Sequence, residues 1–467
     1  MPLQGCGACR QWGKNGGVRN SPSPQSDLPN DQERVPTSTI GRGARLLGVP
    51  LGMAGRATVG VGRRLMGESA DSVDADLRER AALQLFKVLG ELKGGAMKFG
   101  QALSLFEAVL PDDIAEPFRQ HLAKLQDSAP PMPVSRVEAV LADELGPGWR
   151  DLFSSFGRRP AAAASIGQVH KAVWAATGEP VAVKIQYPGA EAALRSDLAQ
   201  IARLSTVVAP LAGGVDVKAL VEELSERVME EVDYLTEADH QARAAAAFDG
   251  DPQLAVPHIR AASRRVLVSQ WLDGKPLRTA VTADQTERNR IGLTYVTALF
   301  AGPQRAGVLH GDPHPGNFLI LPDGRLGVID WGLAARLPEG LPYDMGHLIR
   351  VAIDGDAPGV AAGLRSLGFV TREVSADALL GYLEPFVEPA STPEFHFTRD
   401  WMRSQYERIG RDSRSDDSVA LTLNVPPVYA LIHRVWLGGI AVLSQLDVRA
   451  RFRDVLTDYL PGFAPGS

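Results

Sequence analysis

The stretch His310-Gly311-Asp312-Pro313-His314-Pro315-Gly316-Asn317 constrains this chain more than any other. Two prolines remove backbone donors and fix φ, and Gly316 adds conformational freedom, so a regular helix is forbidden and the polar side chains must sit in a shaped loop. Apolar Phe318-Leu319-Ile320 follows as a short strand, and Val328-Ile329 leads into Asp330-Trp331-Gly332. Four residues lie between Asp312 and Asn317, and Asp330 stands 18 positions beyond Asp312. Asp330-Trp331-Gly332 alone would read as a strand-ending turn. Together the three side chains make a set that phosphoryl transfer requires: Asn317 and Asp330 as hard oxygen ligands for a divalent metal, and Asp312 as the carboxylate that receives a hydroxyl proton. His310 is expected to anchor the loop through a backbone hydrogen bond.

A lysine belongs with them. Val181-Ala182-Val183-Lys184 alternates with period two, which puts Ala182 and Lys184 on one face of a strand and Val181, Val183 and Ile185 on the other. Lys184 is then directed away from the apolar layer, toward nucleotide phosphates. Its acidic partner must come from Glu222, Glu223, Glu226, Glu230, Glu231, Asp233 or Glu237. If one continuous helix carries them, Asp233 and Glu237 share a face. Upstream, Ala161-Ala162-Ala163-Ala164-Ser165-Ile166-Gly167 occupies the place of a phosphate loop but keeps a single glycine, so its approach to phosphates is expected to be altered. No G-x-x-x-x-G-K-[ST] run occurs.

The 467 residues suffice for a large core without disulfide support, and the only two cysteines, Cys6 and Cys9, fit a reducing compartment. Half a zinc site at Cys6-Gly-Ala-Cys9 lacks its other ligands. A formal net charge of −6 offers no general field for nucleic acid, and none is expected as a partner. Residues 1–40 read as a disordered tail. Residues 41–67 mix Arg42, Arg45, Arg56, Arg63 and Arg64 with leucines, a pattern that fits a plain surface helix or a segment lying on an anionic membrane. Residues 41–150 form a helical extension, with a short helix at Val134–Leu145. Strands are expected at Leu152–Phe156, Gly167–Trp174, Pro180–Gln186 and Arg265–Gln270, and a helix over roughly 190–248. Ser418–Ile432 reads as a buried helix ending at His433-Arg434. The layout is α+β: a small lobe over 151–275 and a mostly helical lobe over 276–467. No stretch is apolar enough to cross a bilayer, and a cytoplasmic location, peripheral at most, is expected.

Three further marks, Lys98-Phe99-Gly100-Gln101, the alanine-rich loop, and Glu231-Val232-Asp233, follow in this order. With them the chain resembles the UbiB/ADCK (AarF) family of atypical protein-kinase-like proteins over about residues 70–460. The resemblance implies a two-lobed protein-kinase-like fold with a helical N-terminal extension lying across the cleft. It implies ATP or ADP as nucleotide, with Mg2+, and kinase or ATPase activity in isoprenoid-quinone or other prenyl-lipid metabolism, near a membrane surface. Lys98, Gln101, Glu231 and Asp233 become a gating network beside the nucleotide, with Lys98 counted among the catalytic residues. Glu237 becomes the partner of Lys184. Ala162, Ala163, Ala164 and Ser165 would cover the phosphates, and Gln270 and Leu272 would receive the base. Two other readings remain: a small-molecule phosphotransferase of the aminoglycoside or choline kinase type, and a pseudokinase-like module that binds nucleotide or lipid without turnover.

Overall fold

A computed structural model describes residues 131–164, 166–196, 198–199, 232–370, 373–412, 419, 423 and 426–464. The tail at 1–40, the basic segment at 41–67, and Lys98, Gln101, Ser165 and Glu231 lie outside the described residues.

The small lobe is an antiparallel sheet. Its strands are β1 (Phe153–Phe156), β2 (Ala162–Ala164), β3 (Gly167–Trp174), β4 (Pro180–Gln186), β6 (Ile259–Ala262) and β7 (Val266–Gln270), ordered β1-β3-β4-β7-β6 with β2 hydrogen-bonded to β3. Strands β3 and β4 are joined through a turn in which Gly178 takes φ +72° and Trp174 N–H donates to Glu179 O at 2.9 Å. A left-handed backbone here is costly for any residue with a Cβ. Val181, Val183 and Ile185 are fully buried, as the alternation requires, and meet Val266 and Val268 from β7. Helix α1 (Val134–Leu145) covers this face with Val137, Val140 and Leu141. Although α1 falls in the 41–150 span that the sequence groups as an extension, its apolar side is part of the small-lobe core. Arg265 ties it further, donating from Nε to Glu144 at 2.7 Å.

The expected long helix over 190–248 is interrupted. Asp233 is extended (φ −95°, ψ 103°) and its carboxylate accepts from Leu235 N–H, so α2 (Tyr234–Ala247) starts afresh. An aspartate is a strong N-cap, and here capping overrides the i,i+4 pattern that would place Asp233 and Glu237 on one continuous helix face.

After α2 the chain builds the large lobe. Short strands β5 (Leu254–Ala255), β8 (Lys275–Pro276), β10 (Phe318–Ile320) and β11 (Leu326–Val328) form one sheet in the order β5-β11-β10-β8. A second ribbon pairs β9 (Val308–His310) with β12 (Ala334–Arg336). Helix α3 (Gln285–Ala306) is capped by Asp284 and closed by Gly307 at φ +64°. The remaining helices are α4 (Tyr343–Ile353), α5 (Ala357–Ser366), α6 (Ala376–Ser391), α7 (Arg399–Asp412), α8 (Pro427–Gln445) and α9 (Phe452–Tyr459); α8 and α9 pack on α3, and α4, α5 and α6 pack on one another. The centre is aromatic: Phe300 meets Trp436 edge-on at 5.1 Å, and Phe452 lies 5.9 Å from Trp436 and 5.7 Å from Phe397. Helix α8 corrects one expectation, since it runs on through His433-Arg434 for about three more turns, to Gln445. A charged pair looks like a helix end in isolation, but here Arg434 has a partner that the local sequence does not reveal. No helix among the described residues is long and apolar enough to cross a membrane.

Candidate active site

Lys184 occupies the middle of β4, opposite Val169 of β3 and Leu267 of β7. Its Nζ donates to both carboxylate oxygens of Glu237, each at 2.8 Å, and lies 3.3 Å from Asp330 Oδ1. Glu237 sits in the first turn of α2 and is 4% exposed. Burial alone would pull the lysine pKa down; the charges of Asp330 and Glu237 outweigh it and raise the pKa well above the ordinary value. Lys184 therefore stays cationic. The Tyr234 ring lies under the ammonium at 5.1 Å, and burial pushes the Tyr234 phenol up, so it stays neutral.

Asp330 reaches this cluster from the opposite lobe. It follows β11 and has φ +59°, a left-handed conformation that aspartate tolerates better than most residues but that still costs about 1 kcal/mol or more. Trp331, 2% exposed and bonded through Nε1 to Val328 O at 3.3 Å, pins the next position. The Gly332 N–H donates to Asp330 Oδ1 at 3.3 Å. A Cβ on Gly332 would stand 3.3 Å from Asp330 Oδ1 and 3.4 Å from Glu237 Oε2, so this glycine lies against both carboxylates.

The loop between β9 and β10 carries the second centre. Asn317 Nδ2 donates to Asp312 Oδ2 at 2.8 Å and to its carbonyl at 3.3 Å. Arg434 Nη2 meets the other oxygen, Oδ1, at 3.2 Å. Sequence reasoning passed over Arg434, for it lies 122 residues away and nothing near it in the chain signals the pairing. The loop itself is anchored by the buried Tyr295 hydroxyl, which donates to Pro313 O at 2.5 Å, and by His310, whose Nε2 donates to Ile329 O at 3.2 Å. Burial keeps the His310 pKa below the ordinary range, so the ring acts as a neutral strut.

The remaining candidates are placed less centrally. Ala162, Ala163 and Ala164 do not form an open phosphate loop: they make strand β2, in register with Val169, Gln168 and Gly167. Alanine lacks the glycine freedom that would let the backbone wrap a phosphate, and edge pairing satisfies it instead. Asp233 is used as a helix cap and lies 3.7 Å from Arg264. Gln270 ends β7 opposite Val181, and the Leu272 side chain packs on Gly327.

The donor set fits magnesium. Asn317 turns its amide nitrogen to Asp312, which leaves Oδ1 as an acceptor, and the Asp330 carboxylate is 49% exposed at the cleft. One carboxylate and one amide oxygen, completed by phosphate oxygens and water, suit this ion better than a full protein cage. Among the described residues no cluster of three or more His, Cys, Asp or Glu offers such a cage.

A strand lysine, a helix glutamate and a strained aspartate meet across a cleft in a fold that is that of a protein-kinase-like domain. The family model of the ABC1 atypical kinase-like domain matches residues 124–363. The chain belongs to this ABC1, or UbiB/ADCK, family. It is 28% identical to the zebrafish (Danio rerio) mitochondrial atypical kinase COQ8B, over 91% of this chain and 69% of that protein. It is 29% identical to the Arabidopsis thaliana chloroplastic protein Activity of BC1 complex kinase 3, over 84% of this chain and 54% of the relative. The chain thus spans about half the length of that plant protein. Among solved structures, Rv3197 of Mycobacterium tuberculosis, solved in complex with erythromycin, shares 42% identity and a TM-score of 0.65, covering 85% of this chain and 100% of the other.

Proposed function

We propose that this ABC1-family chain binds ATP or ADP with Mg2+ and turns ATP over as an atypical kinase or ATPase, in the service of prenyl-lipid or isoprenoid-quinone metabolism at a membrane surface. The observation that carries the reading is Lys184 held between Glu237 and Asp330, one from each lobe, at 2.8 and 3.3 Å. Lys184 would neutralise and orient the nucleotide phosphates. Asp330 and Asn317 would hold the metal, whose chemistry there is to offset charge on the phosphoryl oxygens. Asp312 would orient the attacking hydroxyl or water and accept its proton. Arg434 beside Asp312 keeps a positive charge at the point where an acceptor approaches. The prenyl-lipid part of the reading rests on the family resemblance.

The test is nucleotide turnover by the purified protein with magnesium, with and without liposomes containing a prenyl-quinone-like lipid, and with Asp330→Asn as control. Turnover that needs Asp330 and rises with lipid supports the reading. Tight metal-dependent binding without turnover replaces it with a nucleotide-binding module. Phosphorylation of an added aminoglycoside or choline would make it a small-molecule phosphotransferase. The erythromycin complex of the 42% identical mycobacterial protein favours a second reading, that this chain also takes a macrolide, tested by adding erythromycin to the same assay.

A further inference from the structure

Glu237 is not the only residue that the first turn of α2 offers to Lys184. Asp233 caps this turn by accepting from Leu235 N–H, and Tyr234 N–H donates to Arg264 O at 3.2 Å, so the start of α2 is tied to the connection between β6 and β7. Tyr234 and Glu237 are three positions apart and share a helix face. That face brings a carboxylate and an aromatic ring to one ammonium. Lys184 Nζ lies 2.8 Å from each Glu237 oxygen and 5.1 Å from the centroid of the Tyr234 ring, over its face. Tyr234 is 1% exposed, so water screens this contact little. Its hydroxyl does not hold the residue there: it is buried with no hydrogen-bond partner among the described residues, and burial keeps it protonated.

The ring and the carboxylates treat the charge differently. Glu237 and Asp330, both within hydrogen-bond reach of Nζ, together carry more negative charge than one lysine cancels. A ring face attracts a cation through its quadrupole and brings no net charge, so it holds Nζ without competing with a phosphate for it. In the proposed reaction Asp330 serves the metal, which leaves Lys184 with Glu237 and the ring.

We propose that Tyr234 is a positioning residue for Lys184: the face of its ring holds the ammonium beside Glu237 while Asp330 serves the metal, so that Lys184 is kept in place for the nucleotide phosphates. The phosphate half of this role rests on the proposed function; the ring contact does not.

The test compares MgADP with adenosine by calorimetric titration of the full chain. A displaced phosphate-binding lysine weakens the first ligand and spares the second, whereas a loosened fold weakens both. Tyr234→Leu should raise the MgADP Kd about fivefold, the size of a cation–π contact out of water, and leave adenosine within about twofold. Tyr234→Phe, which keeps the ring, should restore the wild-type ratio of the two constants. Lys184→Met is the reference and should weaken MgADP at least as much as Tyr234→Leu does. A second measurement needs no Tyr234 variant. With 13C-labelled lysine, one ε-methylene NMR signal, assigned by its loss in Lys184→Met, should stand upfield of the others through the Tyr234 ring current and stay there when MgADP is added. Absence of that signal, or its return to the ordinary position with MgADP, overturns the contact. Equal weakening of both ligands in Tyr234→Leu, or a Phe variant that behaves like the Leu variant, overturns the positioning role. If the wild type binds no MgADP, or Lys184→Met binds it equally well, the nucleotide reading fails and takes the phosphate role with it, while the upfield signal still reports the ring contact.

Discussion

The Lys184 centre and the Asp312 centre solve the same problem, holding charge at a cleft, in opposite ways. Lys184 is 16% exposed and Glu237 5% by side chain, so their attraction acts in a poorly screened environment and each depends on the other. Asp312 is 30% exposed and its oxygens are divided between an amide and a guanidinium, either of which leaves the other in place. The first centre is a buried ion pair that joins two lobes through Asp330. The second is a partly solvated carboxylate fixed within one lobe. Burial, more than the number of contacts, should decide which of them tolerates change.

The largest expected effect is Glu237→Ala, which leaves a buried lysine facing only Asp330 and should lower unfolding free energy by about 3–5 kcal/mol in urea titration. A loss below about 1 kcal/mol would mean that Asp330 suffices as the counter-charge, erasing the contrast. Next comes Gly167→Ala. Its Cβ would stand 2.2 Å from Ile185 O, so β3 and β4 must separate beside Lys184, at about 2–3 kcal/mol. If the variant melts like the wild type, the strands are more pliant than their pairing implies. Arg434→Met should cost only about 1–2 kcal/mol, because Asn317 still holds Asp312, yet it should depress nucleotide turnover more than nucleotide affinity. Equal losses in both would place Arg434 on the nucleotide instead.

A pH dependence of a size comparable to the Arg434 effect locates the large lobe's sensitivity outside the cleft. His433 is depressed to about 4 from the ordinary 6.5, so between these values the unfolded chain binds the proton that the folded chain refuses. Stability is then complete above pH 6.5, falls as pH drops through this window, and levels for this group below 4. At pH 5 the loss should be about 2 kcal/mol, with His310 and His170, lowered by burial, contributing in the same direction. Comparing melts of wild type and His433→Phe at pH 7 and pH 5 isolates the share of His433. Parallel shifts in both proteins would assign it to the other histidines.

Much of this site is written locally. Alternation through 181–185 is enough to turn Lys184 from the apolar layer, and two prolines with a glycine are enough to keep 312–317 out of an α-helix, leaving only a short 3-10 turn at Pro315–Asn317, because strand pleat and ring closure act over a few residues. The same locality explains where pattern misleads. The alanines at 162–164 carry no side-chain information, so only pairing with β3 makes them a strand. Asp233 satisfies either a helix face or a cap, and the backbone break decides for the cap.

By itself the sequence determined the α+β order of elements, the loop chemistry and the identity of the lysine, metal-facing and proton-accepting candidates. Residue pattern left the acidic partner of Lys184 open until the resemblance pointed to Glu237, which the structure pairs with it, and tertiary structure alone decided that Asp330 crosses between lobes at φ +59° and that Arg434 closes on Asp312 from 122 residues away. The reason is that a pattern of period two or 3.6 sets which way a side chain faces, while an ion pair needs a distance, and distances between remote segments exist only after the cores of both lobes have packed.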